Sequence, residues 1–177
     1  MFGVKEKYCN LCKQKNSASE VEVLLDSYGP ALIRHYGGFD IAESLELFDV
    51  LMETIPLQER AQILFSRQSQ TETGENVLHR ACRDGDSSLV GYWLSSGYFT
   101  REKLITRDVF GHTPLHMAAT CDVFKRVIDA LRQDTELTVE DCLEPSVLHR
   151  ACDKAHIQII HYVFTEFPAD ITLRLVF

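Results

Sequence analysis

Two histidine–cysteine pairs in this sequence have a spacing that could support nucleophilic catalysis. The hexapeptide VLHRAC occurs at residues 77–82 and again at 147–152, so that His79 and His149 each precede a cysteine by three residues. On a helix this spacing places an imidazole and a thiol on one face, as a general base and its nucleophile require. A duplicated cysteine active site is one interpretation, and a repeated structural unit is the other.

A third pair of side chains has the spacing of a metal or redox motif. Cys9 and Cys12 form a single C-x-x-C near the start of the chain. A structural zinc site needs four ligands, usually from two such pairs, and the other candidates, His35 and Cys82, have no motif spacing. We therefore expect no metal and no cofactor, and a zinc-dependent module that uses Cys9 stays an alternative. The sequence contains no glycine-rich phosphate loop, H-E-x-x-H or G-x-S-x-G motif.

Composition and charge narrow the kinds of partner. The 177 residues carry a net charge of -8, and nucleic-acid binding usually requires a basic face, so we expect no nucleic-acid partner. The sequence has no apolar run of the roughly 18 residues that a membrane span needs, and its first residues have no apolar core of a secretory signal. We expect a cytoplasmic protein with reduced thiols, no membrane partner and no small-molecule substrate.

The hexapeptides belong to longer repeats. A third relative, TPLHMAA, lies between them, and its Leu115 stands 37 residues after Leu78 and 33 before Leu148. The three copies are NVLHRACRDGDSSLVGYWL, TPLHMAATCDVFKRVIDAL and SVLHRACDKAHIQIIHYVF. In each copy a pair of small residues is followed by apolar residues at helical spacing, up to Phe164 in the third, which predicts a second helix with one face toward a core. A period near 33 predicts a repeat array.

The residue before each first helix also recurs. Asn76, Thr113 and Ser146 occupy the same position in the three copies, and all three residue types cap helix N-termini, each cap contributing about 1 kcal/mol. Pro114 follows one of them at the first helical position, where the missing N–H has no cost. Each copy is therefore expected to begin a helix at this point.

The copies resemble ankyrin repeats, whose common pattern is G-x-TPLH-x-AA, a short turn and a second apolar helix. The middle copy has FGHTPLHMAA in full, and the other two replace Pro by Val and the second Ala by Cys. The resemblance implies an all-α fold, an ankyrin-repeat solenoid of stacked helix-turn-helix units with short hairpin-like loops. It also implies that the shared histidines bridge neighbouring repeats, and that Cys82 and Cys152 are small buried residues. The structural motif residues are then Asn76, Leu78, His79, Thr113, Pro114, Leu115, His116, Ser146, Leu148 and His149.

The predicted organisation has six parts. They are a flexible N-terminus (1–18), a degenerate ankyrin-like repeat or N-terminal helical cap (19–73), three ankyrin repeats (74–108, 109–141 and 142–168), and a C-terminal segment (169–177). An unrelated helical module is the alternative for the second part, and the last part indicates either a truncated array or a tail that folds back. Capping boxes are expected at Ser19 and Asp40, with loop helices over 58–65 and near Leu104. The second helix of the middle copy is expected to start near Asp122, after a distorted turn.

The resemblance implies a scaffold, and not an enzyme, that binds a partner protein through the concave surface of the ankyrin stack. Carried over position by position, the partner-binding residues are Glu72, Thr73, Glu75, Arg83, Asp84, Val109, Phe110, His112, Thr120, Cys121, Leu143, Pro145, Asp153 and Lys154. Phe110 is the most telling, because aromatic side chains are frequent binding anchors; packing on Leu104 and Ile105 is the alternative. The chain could also be the targeting arm of a larger enzyme or of a secreted bacterial effector that acts in a host cell.

Overall fold

The fold is known from a computed structural model that describes residues 2–14, 16–39, 42, 44–65, 72–133 and 143–167. Within these ranges every regular element is a helix, so the predicted all-α fold is confirmed. The chain divides into two compact units, Met1–Val77 and Leu78–Phe177. Among the described residues no helix combines the length and the apolar character that crossing a bilayer requires.

The first unit consists of five helices. They are α1 (Phe2–Cys12), α2 (Ala18–Tyr28), α3 (Ala31–Tyr36), α4 (Leu45–Thr54) and α5 (Leu57–Leu64). Helix α2 packs against α1, α3 and α4. Gly29 separates α2 from α3, as expected, with a left-handed φ of 67° that ends the first of the two helices.

The N-terminus is a packed helix, so the flexible segment expected over residues 1–18 is wrong. Tyr8, Leu11 and Cys12 are buried along one face of α1, and this spacing of three and four residues is helical. The Tyr8 hydroxyl donates a hydrogen bond of 2.8 Å to the Gly37 carbonyl. A Cβ at Gly38 would lie 2.6 Å from that hydroxyl, so this contact requires glycine. Polar residues such as Lys5, Lys7 and Asn10 separate the apolar ones, so the helical face was not recognised in the sequence.

The capping box expected at Ser19 is also wrong. Helix α2 begins before Ser19, and the residue that precedes the helix is Ser17. The Ser17 hydroxyl oxygen lies 2.5 Å from the Leu11 carbonyl and 2.8 Å from the Gln14 carbonyl, and its one proton is shared between these two acceptors. It therefore stabilises the turn between α1 and α2 and does not cap α2.

Helix α4 begins later than the box expected at Asp40 would place it. Its N-cap is Ser44, whose hydroxyl accepts the Leu47 N–H at 3.2 Å. Most of the predicted box, including Asp40, lies outside the described residues. The apolar face is confirmed, because Phe48 and Leu51 are buried.

The second unit contains the three copies. Its elements are α6 (which begins in the first unit, Val77–Asp84), α7 (Ser87–Ser95), α8 (Arg101–Leu104), a 3₁₀ helix (Pro114–Met117), α9 (Cys121–Arg132), α10 (Pro145–Asp153) and α11 (Ile157–Glu166). The second helices of successive copies pack together, α7 on α9 and α9 on α11. Their core includes Trp93 and Ile128, both at 0% exposure. Phe164, expected in this core, is 49% exposed, because the packed face of α11 is formed by Ile159 and Val163.

The three first helices begin at nearly the predicted positions. Asn76 directly precedes α6, and Thr113 precedes the 3₁₀ helix. The cap expected at Ser146 is wrong, because α10 begins one residue earlier at Pro145, with Glu144 at the N-cap. Proline is suited to a first helical position, since its φ is already helical.

The middle copy is shorter than the other two by almost one helical turn. Its second helix begins six residues after Leu115, whereas α7 and α11 begin nine residues after Leu78 and Leu148. The first helix is consequently reduced to one 3₁₀ turn, and α9 starts at Cys121, capped by Thr120, whose hydroxyl accepts the Val123 N–H at 3.3 Å. The distorted turn is therefore confirmed, although α9 starts one residue before the predicted Asp122.

Candidate functional site

The loop between α8 and the 3₁₀ helix is a tight hairpin over residues 108–112. The Asp108 N–H donates to the His112 carbonyl at 2.9 Å, and the Gly111 N–H donates to the Asp108 carbonyl at 3.0 Å. Gly111 has φ +83°, a conformation that other residues rarely adopt. The loop therefore has a defined shape fixed by backbone hydrogen bonds.

The carboxylate of Asp108 holds this hairpin from inside. Its Oδ1 accepts the Phe110 N–H at 2.8 Å and the His112 N–H at 2.7 Å, and its side chain is 0% exposed. Burial by itself would raise the pKa of Asp108. The two hydrogen bonds and the nearby His112 ring have a larger, opposite effect, so the pKa lies below its ordinary value. Sequence reasoning missed Asp108, although an Asp three residues before a Gly is a turn signal.

Two apolar side chains project from the tip of the hairpin. Val109 is 67% exposed and Phe110 is 69% exposed. The alternative that Phe110 packs on Leu104 and Ile105 is wrong, because most of its surface faces solvent. Its ring lies 6.1 Å from the ring of His112, measured between centroids.

Two of the repeated histidines join neighbouring copies. His79 Nε2 lies 3.1 Å from the His112 carbonyl, 33 residues later, and since a carbonyl only accepts, Nε2 carries the proton. His116 Nδ1 accepts the Thr113 N–H at 3.1 Å, which leaves the proton on Nε2 to be donated to Ser146 Oγ at 2.9 Å. This is the bridging role that the ankyrin resemblance implies.

The environment of His116 keeps its ring neutral. Burial lowers the pKa of His116 to about 4. Protonation would also place a second proton on Nδ1, against the donating N–H of Thr113. The ring is therefore a fixed donor toward Ser146 at neutral pH.

The same contact continues between the hairpin and α10. Ser146 Oγ lies 3.2 Å from Glu144 Oε2 and donates to it, and the carboxylate of Glu144 also forms an ion pair with Arg107. Burial by itself would raise the pKa of Glu144. The hydrogen bond and the charge of Arg107 have a larger, opposite effect, so the pKa lies below its ordinary value. Residues of the second and third copies are thus connected by a chain of polar contacts.

The two histidine–cysteine pairs do not form a duplicated active site. Cys82 is fully buried, and burial raises its pKa far above the ordinary value, so it cannot supply a thiolate at neutral pH. Cys152, expected to be buried, is exposed, as is His149. Within the described residues, no group of three or more His, Cys, Asp or Glu side chains could hold a metal ion.

A pocket of about 170 Å³ lies between the 3₁₀ helix and α10. Its apolar lining includes Leu115, Phe124 and Ile159, and three cationic side chains reach it from two copies: Arg83, Arg150 and Lys154. Arg83 and Lys154 were predicted as partner contacts, and they are 71 residues apart in sequence. The fold therefore brings two predicted residues to one site.

Arg150 lies between the pocket and the hairpin. Its NH1 lies 3.1 Å from His112 Nε2 and its NH2 lies 3.1 Å from Met117 Sδ. A guanidinium only donates, so His112 Nε2 must accept, and the proton of that ring is on Nδ1, 3.3 Å from Asp108 Oδ2. The pocket, His112 and Phe110 thus form one continuous surface. Sequence reasoning missed Arg150, because a charged residue inside VLHRAC gives no sign of what it contacts.

Comparison with known proteins agrees with this geometry. The sequence model of ankyrin repeats, with three copies, matches residues 78–174. The chain belongs to the ankyrin repeat family. Neither a curated protein nor a solved structure matches it. Ankyrin repeats are generally protein-interaction modules, so this coarse function holds for the chain.

The other predicted contact residues of this ankyrin chain lie in varied environments. Glu75 and Leu143 are both only 7% exposed, which removes them as contact surface. Thr120 caps α9, and Cys121 Sγ donates to the Gln158 carbonyl at 3.7 Å, against α11. The remaining residues are Glu72, Asp84 and Asp153, which are exposed, and Thr73 and Pro145, which are half-buried.

Proposed function

We propose that this ankyrin repeat protein is a non-enzymatic module that binds a partner protein through the hairpin face of its second unit. We use the name hairpin face for the surface formed by Val109, Phe110, Arg83, Arg150 and Lys154. All five side chains lie at the hairpin tip or at the adjacent pocket. The cytoplasm is the proposed location, supported by the unpaired thiols of Cys82, Cys121 and Cys152.

The exposed aromatic ring on a stiff loop is the observation that carries this proposal. Phe110 is 69% exposed, whereas its own backbone N–H is held by the buried Asp108 carboxylate. A large apolar side chain in water has an unfavourable free energy that a partner would relieve. Since the loop is already ordered, little conformational entropy is lost on binding. Both features favour a binding anchor over a packing role.

The contacts of His79, His116 and Cys82 support a structural role for these three residues over catalysis. His79 and His116 are occupied by contacts between copies, and the thiol of Cys82 is buried and protonated. A nucleophile requires an accessible thiolate and a base within reach. The geometry of these residues supports a structural role.

Replacement of Phe110 by alanine tests the proposal. Wild-type chain, Phe110→Ala and the control Ile157→Ala would each be used to capture proteins from a lysate of the cell that makes the chain. Ile157 is 75% exposed on α11 and lies outside the hairpin face. Partners should be retained by Ile157→Ala and should bind Phe110→Ala about 5- to 30-fold more weakly, corresponding to about 1–2 kcal/mol.

Folding must be unchanged for the comparison to hold, and an exposed side chain should leave the unfolding midpoint nearly unaltered. Partners that bind Phe110→Ala and wild type equally well would contradict the proposed hairpin face.

A further inference from the structure

We propose that the pocket beside the hairpin receives an apolar side chain of the partner protein that has an Asp or Glu next to it in sequence. This inference rests on the proposed function and adds to it the chemistry of the bound segment.

The pocket exists because the middle copy is short. The 3₁₀ helix ends at Met117, and the chain from Ala118 to Thr120 is extended where the other copies continue their first helices. Ala118 and Ala119 line the space that is left. The Ala119 N–H donates to the Cys82 carbonyl at 3.0 Å, which holds this extended segment against the end of α6. The opening is thus fixed by hydrogen bonds within the second unit.

The size and lining of the pocket suit one apolar side chain. Its volume is about 170 Å³, and an apolar cavity of about 150 Å³ accommodates a benzene ring. Leu115, Phe124 and Ile159 supply apolar walls, and Met117 supplies a thioether, a side chain that adapts readily to different shapes. A leucine or a phenylalanine of a partner would fill this space.

The charge around the pocket has the opposite sign to the charge of the whole chain. The protein carries -8, yet Arg83, Arg150 and Lys154 converge on this one opening. Asp84 lies 3.3 Å from Arg80 and 3.8 Å from Arg83, and it is exposed. In the part of the chain that the structure describes, neither Arg150 nor Lys154 has a carboxylate partner within ion-pair distance.

The contacts of Arg150 leave its charge uncompensated. Its two terminal nitrogens donate to an imidazole nitrogen and a thioether sulfur, both weaker acceptors than a carboxylate. Charge complementarity across an interface is a main source of specificity. A partner carboxylate placed next to the apolar anchor would compensate Arg150 and Lys154 together. A polyphosphate backbone is a poorer fit, because the chain as a whole repels it.

Peptide selection on the full chain tests this inference. Phage-displayed random 12-residue peptides would be selected on the wild-type protein, and the enriched peptides would be synthesised and their affinities measured by fluorescence anisotropy. We expect a Leu, Ile, Met or Phe with an adjacent Asp or Glu. Binding should fall at least tenfold in Arg150→Gln and about threefold in Lys154→Gln, and it should weaken as salt is added.

Two further variants make the comparison sharper. Ala118→Leu places extra carbons in the pocket without a change of charge, and it should also weaken peptide binding at least tenfold. Lys125→Gln removes an equal charge from the outer surface of α9, where Lys125 lies 5.0 Å from the Tyr162 ring, and it should leave affinity within twofold. Lys154 is exposed, so Lys154→Gln still tests the inference should Arg150→Gln fail to fold.

Each contrary outcome has a distinct meaning. Failure to enrich any peptide, or enrichment of basic or uncharged peptides, would overturn the inference. Equal binding of the peptides to wild type, Arg150→Gln, Lys154→Gln and Ala118→Leu would also overturn it. Binding of hexanoate as tightly as the peptides would also overturn it, because the pocket would then recognise a small carboxylic acid. If partner proteins depend on Phe110 but not on Arg150 or Ala118, the proposed function stands and only the pocket inference fails.

Discussion

The hexapeptide VLHRAC occurs twice in this chain and has two different environments. In the first copy His79 and Cys82 are both 0% exposed, whereas in the second copy His149 and Cys152 are exposed. The leucines behave alike, with Leu78 at 0% and Leu148 at 6% exposure. The identical local sequence therefore determines that the leucine is buried, but it does not determine whether the histidine and the cysteine are buried.

The difference shows which contacts act inside a repeat and which act between repeats. Helix α10 packs against α11 of its own copy, and a leucine on that face is buried by the second helix of the same copy. The first histidine is buried by the next copy, through the His112 carbonyl, and Cys82 meets Ala119 of that copy. The histidine and cysteine of the first copy are thus buried by the repeat that lies against them.

The largest expected effect comes from placing a charge at the cysteine position of each copy. Cys82→Glu would bury an unpaired carboxylate and should lower the free energy of unfolding by about 4 kcal/mol or more. Cys152→Glu should change it by less than about 0.5 kcal/mol, because the side chain reaches water. Urea unfolding followed by circular dichroism measures both values. Equal destabilisation by the two substitutions would show that the two copies share one environment.

The histidines give a smaller version of the same test. His79→Ala removes a contact between copies and leaves the His112 carbonyl without this donor, so we expect a loss of about 2–3 kcal/mol. His149→Ala, with an exposed ring, is the matched control and should be within about 0.5 kcal/mol of wild type. A larger loss for His149→Ala than for His79→Ala would reverse the comparison.

The third prediction uses pH to separate His116 from His149. The folded pKa of His116 is about 4, below the ordinary value near 6.5, so the unfolded chain binds the proton more tightly. The contribution of His116 to stability is complete above about pH 6.5 and is lost as the pH falls toward 4, by about 2 kcal/mol at pH 5. His116→Gln should remove this part of the decline, and His149→Gln should keep it.

The carboxylates with lowered pKa values do not interfere with this measurement. Asp108 and Glu144 both have pKa values below their ordinary ones, so their contributions are lost only in more acidic solution. An unchanged decline between pH 7 and 5 in His116→Gln would show that the His116 ring is not responsible for it.

Much of the second unit follows from its sequence. The repeat period, Pro114 and the apolar positions of the second helices located most helices to within a residue or two, because these signals act through hydrogen bonds and packing among near neighbours. The shortened first helix of the middle copy was predicted as a distorted turn. The structure adds that this first helix is reduced to a single 3₁₀ turn, Pro114–Met117.

The first unit was less predictable for a physical reason. Helix α1 begins with no capping signal in the sequence, and it is held by contacts such as that of Tyr8 with Gly37, 29 residues away. The cap of α2 was predicted at Ser19 because Glu22 follows three residues later, but Ser17 has Glu20 at the same spacing. Tertiary contacts of Ser17 with the end of α1 decided between them.

Candidate site residues divide in the same way. Phe110 was found from its position in the repeat, because an aromatic residue at a turn has little local reason to be there. Asp108 and Arg150 were missed, since their importance lies in partners that the sequence does not reveal. The predicted contacts of this surface with a partner stay predictions.

The sequence by itself determined that helical hairpins of the ankyrin type recur along this chain, because caps, turns and helical periodicity depend on residues within a few positions of one another. Only the tertiary structure decided which copy of VLHRAC is buried, that α1 is packed, and that three cations surround one apolar pocket. Burial and charge at a point are sums over segments far apart in the chain. Arg83 and Lys154 became neighbours through the stacking of copies, which no local pattern records.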